Sequence, residues 1–259
     1  MNAVREELLW NSEVGDWSSS ELFARVRPED IIMPEQDKRD YEPILWNDLC
    51  SEFDAQYMNT WIRRSGLTLS GEFHSFVEAW SRDEYNHYLG FRRIYSLFYG
   101  ESEAAITERL EARKPDFRVI DDFGRDEFLL CAVLAYDEIA TTRSYIDDTE
   151  FYGSLGPSAF RDWVRWLVAD EARHFMNLLR VMQGRHAHRL AELPAVLDRI
   201  LEIDLTKDSY EATFVLDHHG PQFSEKMLKG CVETILSSVQ KVPRVFHQPE
   251  PVRPGIRAR

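Results

Sequence analysis

Two segments of this chain read Asp-Glu-x-x-His: Asp83-Glu84-Tyr85-Asn86-His87 and Asp170-Glu171-Ala172-Arg173-His174. In each, Glu and His stand three apart, so a helix projects both from one face, one turn apart. A carboxylate and an imidazole side by side can hold one metal ion, and two such helices face to face can hold two. With 8 His and 45 Asp plus Glu in the chain, about one Glu-x-x-His is expected by chance. Two matches, each with Asp before the Glu, occur by chance only in roughly a few per cent of such sequences.

The flanks sharpen the point. From Leu69 to Tyr99 the apolar positions Phe73, Phe76, Trp80, Phe91 and Ile94 recur at three- and four-residue steps, with Glu84 and His87 inside the same stripe. From Ser158 to Gly184 the stripe is Trp163, Leu167, Leu178 and Val181, and it encloses Asp170, Glu171 and His174. A third helix, Arg125 to Asp148, places Cys131, Leu134, Glu138, Thr141 and Tyr145 on one face. Buried charge is costly unless paired or metal-bound, and no Lys or Arg lies one turn from Glu138 on its face; Arg143 is five residues on. A fourth helix, Tyr41 to Arg64, aligns Leu45, Leu49, Glu52 and Gln56, but spacing alone does not choose among Asp48, Glu52 and Asp54. Metal-bound His normally gives its other N–H to a carboxylate, and Asp83 and Asp170 are placed to accept from the His of the opposite helix.

The rest of the chain is read around these helices. Residues 1–40 form an irregular arm with a short helix capped near Ser18-Ser19-Ser20-Glu21. Gly66 and Gly100 end helices, residues 101–124 make a connection with a short charged helix, and Gly153, Gly156 and Pro157 make a turn. Residues 185–242 carry additional helices interrupted near Leu205 and Gly220-Pro221, and 243–259 read as a mobile tail rich in Pro and Arg. His186, His188, His218 and His219 have no acid three residues before them, so none reads as a ligand. The whole, 1–259, reads as a single all-α domain with a four-helix bundle over 41–184.

Composition removes some functions. A formal net charge of -14 argues against nucleic acid as a partner. Cys50, Cys131 and Cys231 are widely spaced and odd in number, which reads as reduced, buried thiols in a cytoplasmic protein. The N-terminus, Met1 to Trp10, is polar and acidic and reads as no signal peptide. The longest apolar run, Phe128 to Tyr136, is far below the roughly 20 residues that cross a bilayer, so no membrane insertion is expected.

The motifs resemble one family. Ala79-Trp80-Ser81-Arg82-Asp83-Glu84-Tyr85-Asn86-His87 is similar to the second bundle helix of the soluble acyl-[acyl-carrier-protein] desaturases, and Ala169-Asp170-Glu171-Ala172-Arg173-His174 to their fourth. Glu138-Ile139-Ala140-Thr141 resembles their third-helix Glu-x-Ala-Thr, in which the Glu is a ligand and the Thr lies beside the oxygen site. Separations of 51 residues from His87 to Glu138 and 33 from Glu138 to Glu171 match as well. The resemblance picks out Glu52 in the first helix, through the Tyr57-Met58-Asn59 that follows it. It implies a ferritin-like fold, a homodimer, and two iron ions on Glu52, Glu84, His87, Glu138, Glu171 and His174. It also places Thr141 beside the oxygen site, as a candidate catalytic hydroxyl. Four carboxylates balance two dications, and the oxygen and nitrogen donors suit iron or manganese. The implied reaction introduces a double bond into an acyl chain, using dioxygen and electrons from a ferredoxin-type donor, with acyl carrier protein or another acyl thioester as substrate. The chain is short for that family and strongly acidic, which sits poorly with an acidic carrier; Arg63, Arg64, Arg92, Arg93, Lys226 and Lys229 are its nearest approach to a basic patch.

Two other functions share the ligand set. One is hydroxylation or N-oxygenation of a small metabolite; the other is a ferroxidase or iron-binding protein. The cavity beside Glu138 and Thr141 discriminates the first from desaturation: a long apolar tunnel suits an acyl chain, a short polar pocket a small metabolite.

Overall fold

The computed structural model describes residues 17–206, 215–219 and 222–242, and the described residues are helical with no strand. The elements are α1 (Ser19–Phe23), α2 (Glu35–Ser65), α3 (Gly71–Tyr99), α4 (Glu103–Glu111), α5 (Glu127–Asp147), α6 (Thr149–Ser154), α7 (Ser158–Arg185), α8 (Leu193–Leu205) and α9 (Glu225–Val239). The tail at 243–259, the break at Gly220-Pro221 and residues 1–16 of the expected arm lie outside the described residues. No helix among those described is long and apolar enough to cross a membrane.

Local chemistry sets the helix ends. The Ser70 hydroxyl accepts from the Phe73 amide at 3.1 Å and starts α3, and the Asp126 carboxylate does the same for α5 through Leu129 at 3.0 Å. Gly66 and Gly100 take the left-handed conformation (φ 70 and 73) that closes α2 and α3.

Three expectations are corrected. The first long helix begins at Glu35 rather than Tyr41, so residues 35–40 of the expected arm are helical. Pro43 lies inside this helix, where the ring normally costs a hydrogen bond; a start at Tyr41 would have put it harmlessly in the first turn. Gln56 does not share the buried face of Leu45, Leu49 and Glu52; it is exposed. The expected turn at 153–157 is confined to 155–157, and Gly153 lies in a separate short helix, α6.

The long helices pack α2 on α3, α3 on α7 and α5 on α7, while α8 and α9 pack on α5 and on each other, and α9 also on α7. With neighbours on every side, α5 is buried from Glu127 to Ala140 apart from Leu129, so it carries no single apolar stripe. Apolar side chains form two clusters. Along α3, Phe73, Phe76 and Trp80 belong to one and Tyr88, Phe91 and Ile94 to the other, with Glu84 and His87 at the junction. Along α7 the order is reversed: Trp163 and Leu167 lie in the second cluster, Phe175 and Leu178 in the first, and Asp170 to His174 between. The layer of acids and imidazoles therefore lies between two apolar cores, which bury it from bulk water. Cys50, Cys131 and Cys231 are all free and buried.

Candidate metal centre

Helix α2 supplies Glu52, α3 supplies Glu84 and His87, α5 supplies Glu138, and α7 supplies Glu171 and His174; all six are buried. Their donor atoms fall into two sets, each mutually within 4.8 Å: Glu52, Glu84, His87 and Glu171, and Glu84, Glu138, Glu171 and His174. Glu84 and Glu171 are common to both. Glu171 turns Oε1 to His87 Nδ1 at 3.0 Å and Oε2 to His174 Nδ1 at 3.4 Å. Glu84 Oε1 lies 3.9 Å from His87 Nδ1 and 3.2 Å from His174 Nδ1. Glu52 reaches only the His87 side, at 3.5 Å, and Glu138 only the His174 side, at 3.2 Å.

The surroundings orient these groups. His87 Nε2 lies 3.2 Å from Asp170 Oδ2, and His174 Nε2 lies 3.2 Å from Asp83 Oδ2, each across to the opposite helix. With Nε2 engaged, each ring offers Nδ1 to the centre. Arg173 forks between the two aspartates, 2.7 Å from Asp83 Oδ2 and 2.7 Å from Asp170 Oδ1. The Trp80 indole donates to Glu138 Oε1 at 2.8 Å, and the Tyr145 hydroxyl to Glu52 Oε1 at 2.6 Å. Of the acids left open on α2, Asp54 faces away to Arg113 at 2.6 Å, and Asp48 lines the cavity beside Glu52.

Sequence reading missed several of these neighbours. Trp17, from the segment before α1, donates its indole N–H to Asp170 Oδ2 at 2.7 Å and stacks on His87 with ring centroids 6.0 Å apart. His218 is buried against Asp137 and Asp204. Neither carries a local signal, because both contacts join segments far apart in sequence. Of the basic residues, Arg92 and Arg93 both turn to Glu103, and Lys229 to Glu225.

A metal pair fits this donor set. Glu52 Oε2, Glu84 Oε1, His87 Nδ1 and Glu171 Oε1 are buried without a hydrogen-bond partner, and they converge on one point. Among the described residues, the permanent cations paired with the six acids around the two imidazoles are Arg173, at 2.7 Å from both Asp83 and Asp170, and Arg82, 3.8 Å from Asp83 at the exposed edge. A metal-free ion-pair network would need more. Without metal, protons take its place. Burial, then Glu171 and Glu52, push the Glu84 carboxyl well up, and burial raises Glu138 to about 8 against the pull of His174. Burial opposes charge on His87 and His174, but Glu171 and Asp170 outweigh it at the first and Glu138 and Asp83 at the second, so both rings hold a proton more tightly than usual. Glu171 goes the other way: burial would raise it, and the two imidazoles lower it. Metal ligands must be deprotonated, so loading the apo-protein at pH 7 is expected to release protons, and affinity is expected to weaken as pH falls below about 8. Calorimetric titration in buffers of different ionisation enthalpy measures this; an enthalpy independent of buffer would reject it.

The four glutamates open onto a cavity of about 40 Å³, room for roughly three waters. Its other lining includes Asp48, Ser51, Asp137, Thr141, Ser144, Tyr145, Asp217 and His218, with Phe223 at one side. Thr141 faces this space; its neighbour Thr142 instead donates to the Glu138 carbonyl at 2.6 Å. No protein-family model matches the chain, and no curated protein or solved structure matches it significantly.

Proposed function

We propose that this protein is a dioxygen-dependent oxidoreductase with two iron or manganese ions on a ferritin-like helical scaffold, acting on a small polar metabolite by hydroxylation or N-oxygenation. The observation that carries the reading is the shared donor set, with Glu84 and Glu171 common to two positions, each completed by its own Glu and His. Two ions held there supply reduction of dioxygen and the oxidising power to take hydrogen from a C–H or N–H bond. Of the dioxygen, one atom goes to product and the other to water, with two electrons from a separate donor such as a ferredoxin.

The chain's own groups supply the rest. Trp80 and Tyr145 fix one oxygen each of Glu138 and Glu52. Asp170 and Asp83 hold the imidazoles in one orientation. The two apolar clusters flank the layer, so its approach is through the polar cavity. Thr141, one turn from Glu138 and facing the cavity, holds a proton where oxygen is reduced.

The polarity of the cavity supports the choice of substrate class. Its walls beyond the ligands carry three further carboxylates, an imidazole and several hydroxyls, with no long apolar tunnel among its described lining residues. That favours a small polar substrate. The spacing of Glu84, His87, Glu138, Glu171 and His174 supports a second reading, desaturation of an acyl chain on a thioester carrier, by a homodimer.

Oxygen consumption by the reduced, iron-loaded protein separates the readings. Stimulation by small polar metabolites, with an oxygenated product by mass spectrometry, is expected. Stimulation by acyl thioesters alone would replace it with desaturation, and oxygen use that only oxidises iron would leave a ferroxidase. Thr141→Val keeps shape and removes the hydroxyl. It is expected to bind both metals, to form product roughly a hundredfold more slowly, and to release more peroxide. Unchanged product per dioxygen would remove Thr141 from the chemistry.

A further inference from the structure

We infer that Asp137, Asp217 and His218 form a third divalent-cation site, in the same cavity as the two-metal cluster but on separate ligands. Asp137 follows one residue before Glu138 on α5, so the helix turns it about 100° away from the first cluster. There it meets the segment 215–219. One oxygen of Asp137, one of Asp217 and a ring nitrogen of His218 lie within 4.8 Å of one another, and all three residues are buried.

The imidazole is set up as a ligand. Its Nδ1 lies 2.9 Å from Asp204 Oδ2, which also accepts from the Tyr136 hydroxyl at 2.8 Å. That contact places the proton on Nδ1 and turns Nε2 toward Asp137 Oδ1, 3.5 Å away. A carboxylate behind an imidazole whose other nitrogen faces a donor cluster is the arrangement that metal-binding His requires. It is also the arrangement of Asp170 behind His87 and Asp83 behind His174.

An independent observation concerns Asp137. Its Oδ1 is buried, faces the cavity and has no hydrogen-bond partner. A lone pair so placed is costly unless something binds it. The other groups around it are held: the Leu216 amide bonds to Asp137, and the Ser51 hydroxyl donates to Asp217 Oδ2 at 2.7 Å. Leu216 sits at φ 59, a conformation uncommon for a non-glycine residue, immediately before the two ligands it precedes.

Two carboxylates neutralise one dication. Two oxygens and one nitrogen suit manganese, ferrous iron or zinc, with water from the cavity completing the shell. None of these ligands belongs to the two-metal set, so this site stands or falls separately from the proposed oxidoreductase.

Manganese titration of the metal-free full chain, with bound ion counted by equilibrium dialysis, tests it. Wild type is expected to hold one ion more than Asp217→Asn and one more than His218→Gln, and Glu171→Ala to keep that ion while losing the others. No difference between wild type and the first two variants would overturn the site, and would leave His218 as an ion-pair partner of Asp137 and Asp204 only. If either variant fails to fold, nitrogen-15 NMR of His218 in wild type decides. A shift of its Nε2 resonance on zinc binding supports the site; an unmoved resonance at saturating zinc overturns it.

Discussion

Glu171→Ala is expected to strip metal from both positions of the centre, whereas Glu52→Ala strips it from one. Glu171 directs a different oxygen to each imidazole, so its loss removes a ligand from two sets at once. Glu52 belongs to a single set. Losing an outer partner of a ligand already costs about 10- to 100-fold in metal affinity, and losing a shared ligand costs more at each position. Elemental analysis after iron-replete expression is the measurement. Near-zero iron in the two-metal set is expected for Glu171→Ala, about half the wild-type content for Glu52→Ala, and unchanged helicity by circular dichroism for both. Wild-type iron in Glu171→Ala would sink the shared-ligand arrangement. Equal losses in the two variants would show that the positions fill only together.

Removing the metal is expected to lower the melting temperature substantially, and more at pH 8 than at pH 6. A ligand at a thousandfold its Kd stabilises the folded state by about 4 kcal/mol. In a chain of this size each kcal/mol moves Tm by about 2–4 °C, so one filled position is worth about 8–16 °C. The pH dependence follows from the apo-centre. Glu84 and Glu138 have folded pKa values raised above their unfolded ones, Glu138 to about 8. Such a group destabilises the fold as pH climbs from its unfolded value toward its folded one. His87 and His174 are also raised, and their contribution is present at low pH and lost as pH rises through the folded value. Both effects weaken the apo-protein as pH rises from 6 to 8, while metal binding strengthens over the same range. Differential scanning calorimetry with and without chelator at the two pH values reads the gap. Equal melting temperatures would reject a buried four-carboxylate centre.

The helices and their polar layer were legible because their signals are local. Glu84 with His87, and Glu171 with His174, stand at a spacing that any helix converts into one face, and the apolar residues on either side mark that face as the buried one. Gly66 and Gly100 end helices because glycine alone adopts the left-handed turn without strain. The start of α2 was not legible, since Pro43 reads as a first-turn residue and the helix runs on before it.

What required the tertiary structure were the choices among local equals. Asp48, Glu52 and Asp54 look alike in sequence; packing sends Asp54 to Arg113, leaves Asp48 at the cavity wall and brings Glu52 to His87. Trp17 and His218 carry no motif, and only the docking of distant segments puts them against Asp170 and Asp137. The shape and polarity of the cavity depend on side chains from α2, α3, α5, α7 and the segment before α9 at once. The sequence by itself thus determined an all-helical chain with an acid and imidazole layer, because helix periodicity is a property of neighbours. Which acids meet which imidazoles, and what kind of molecule fits beside them, was decided by contacts between residues up to 166 positions apart.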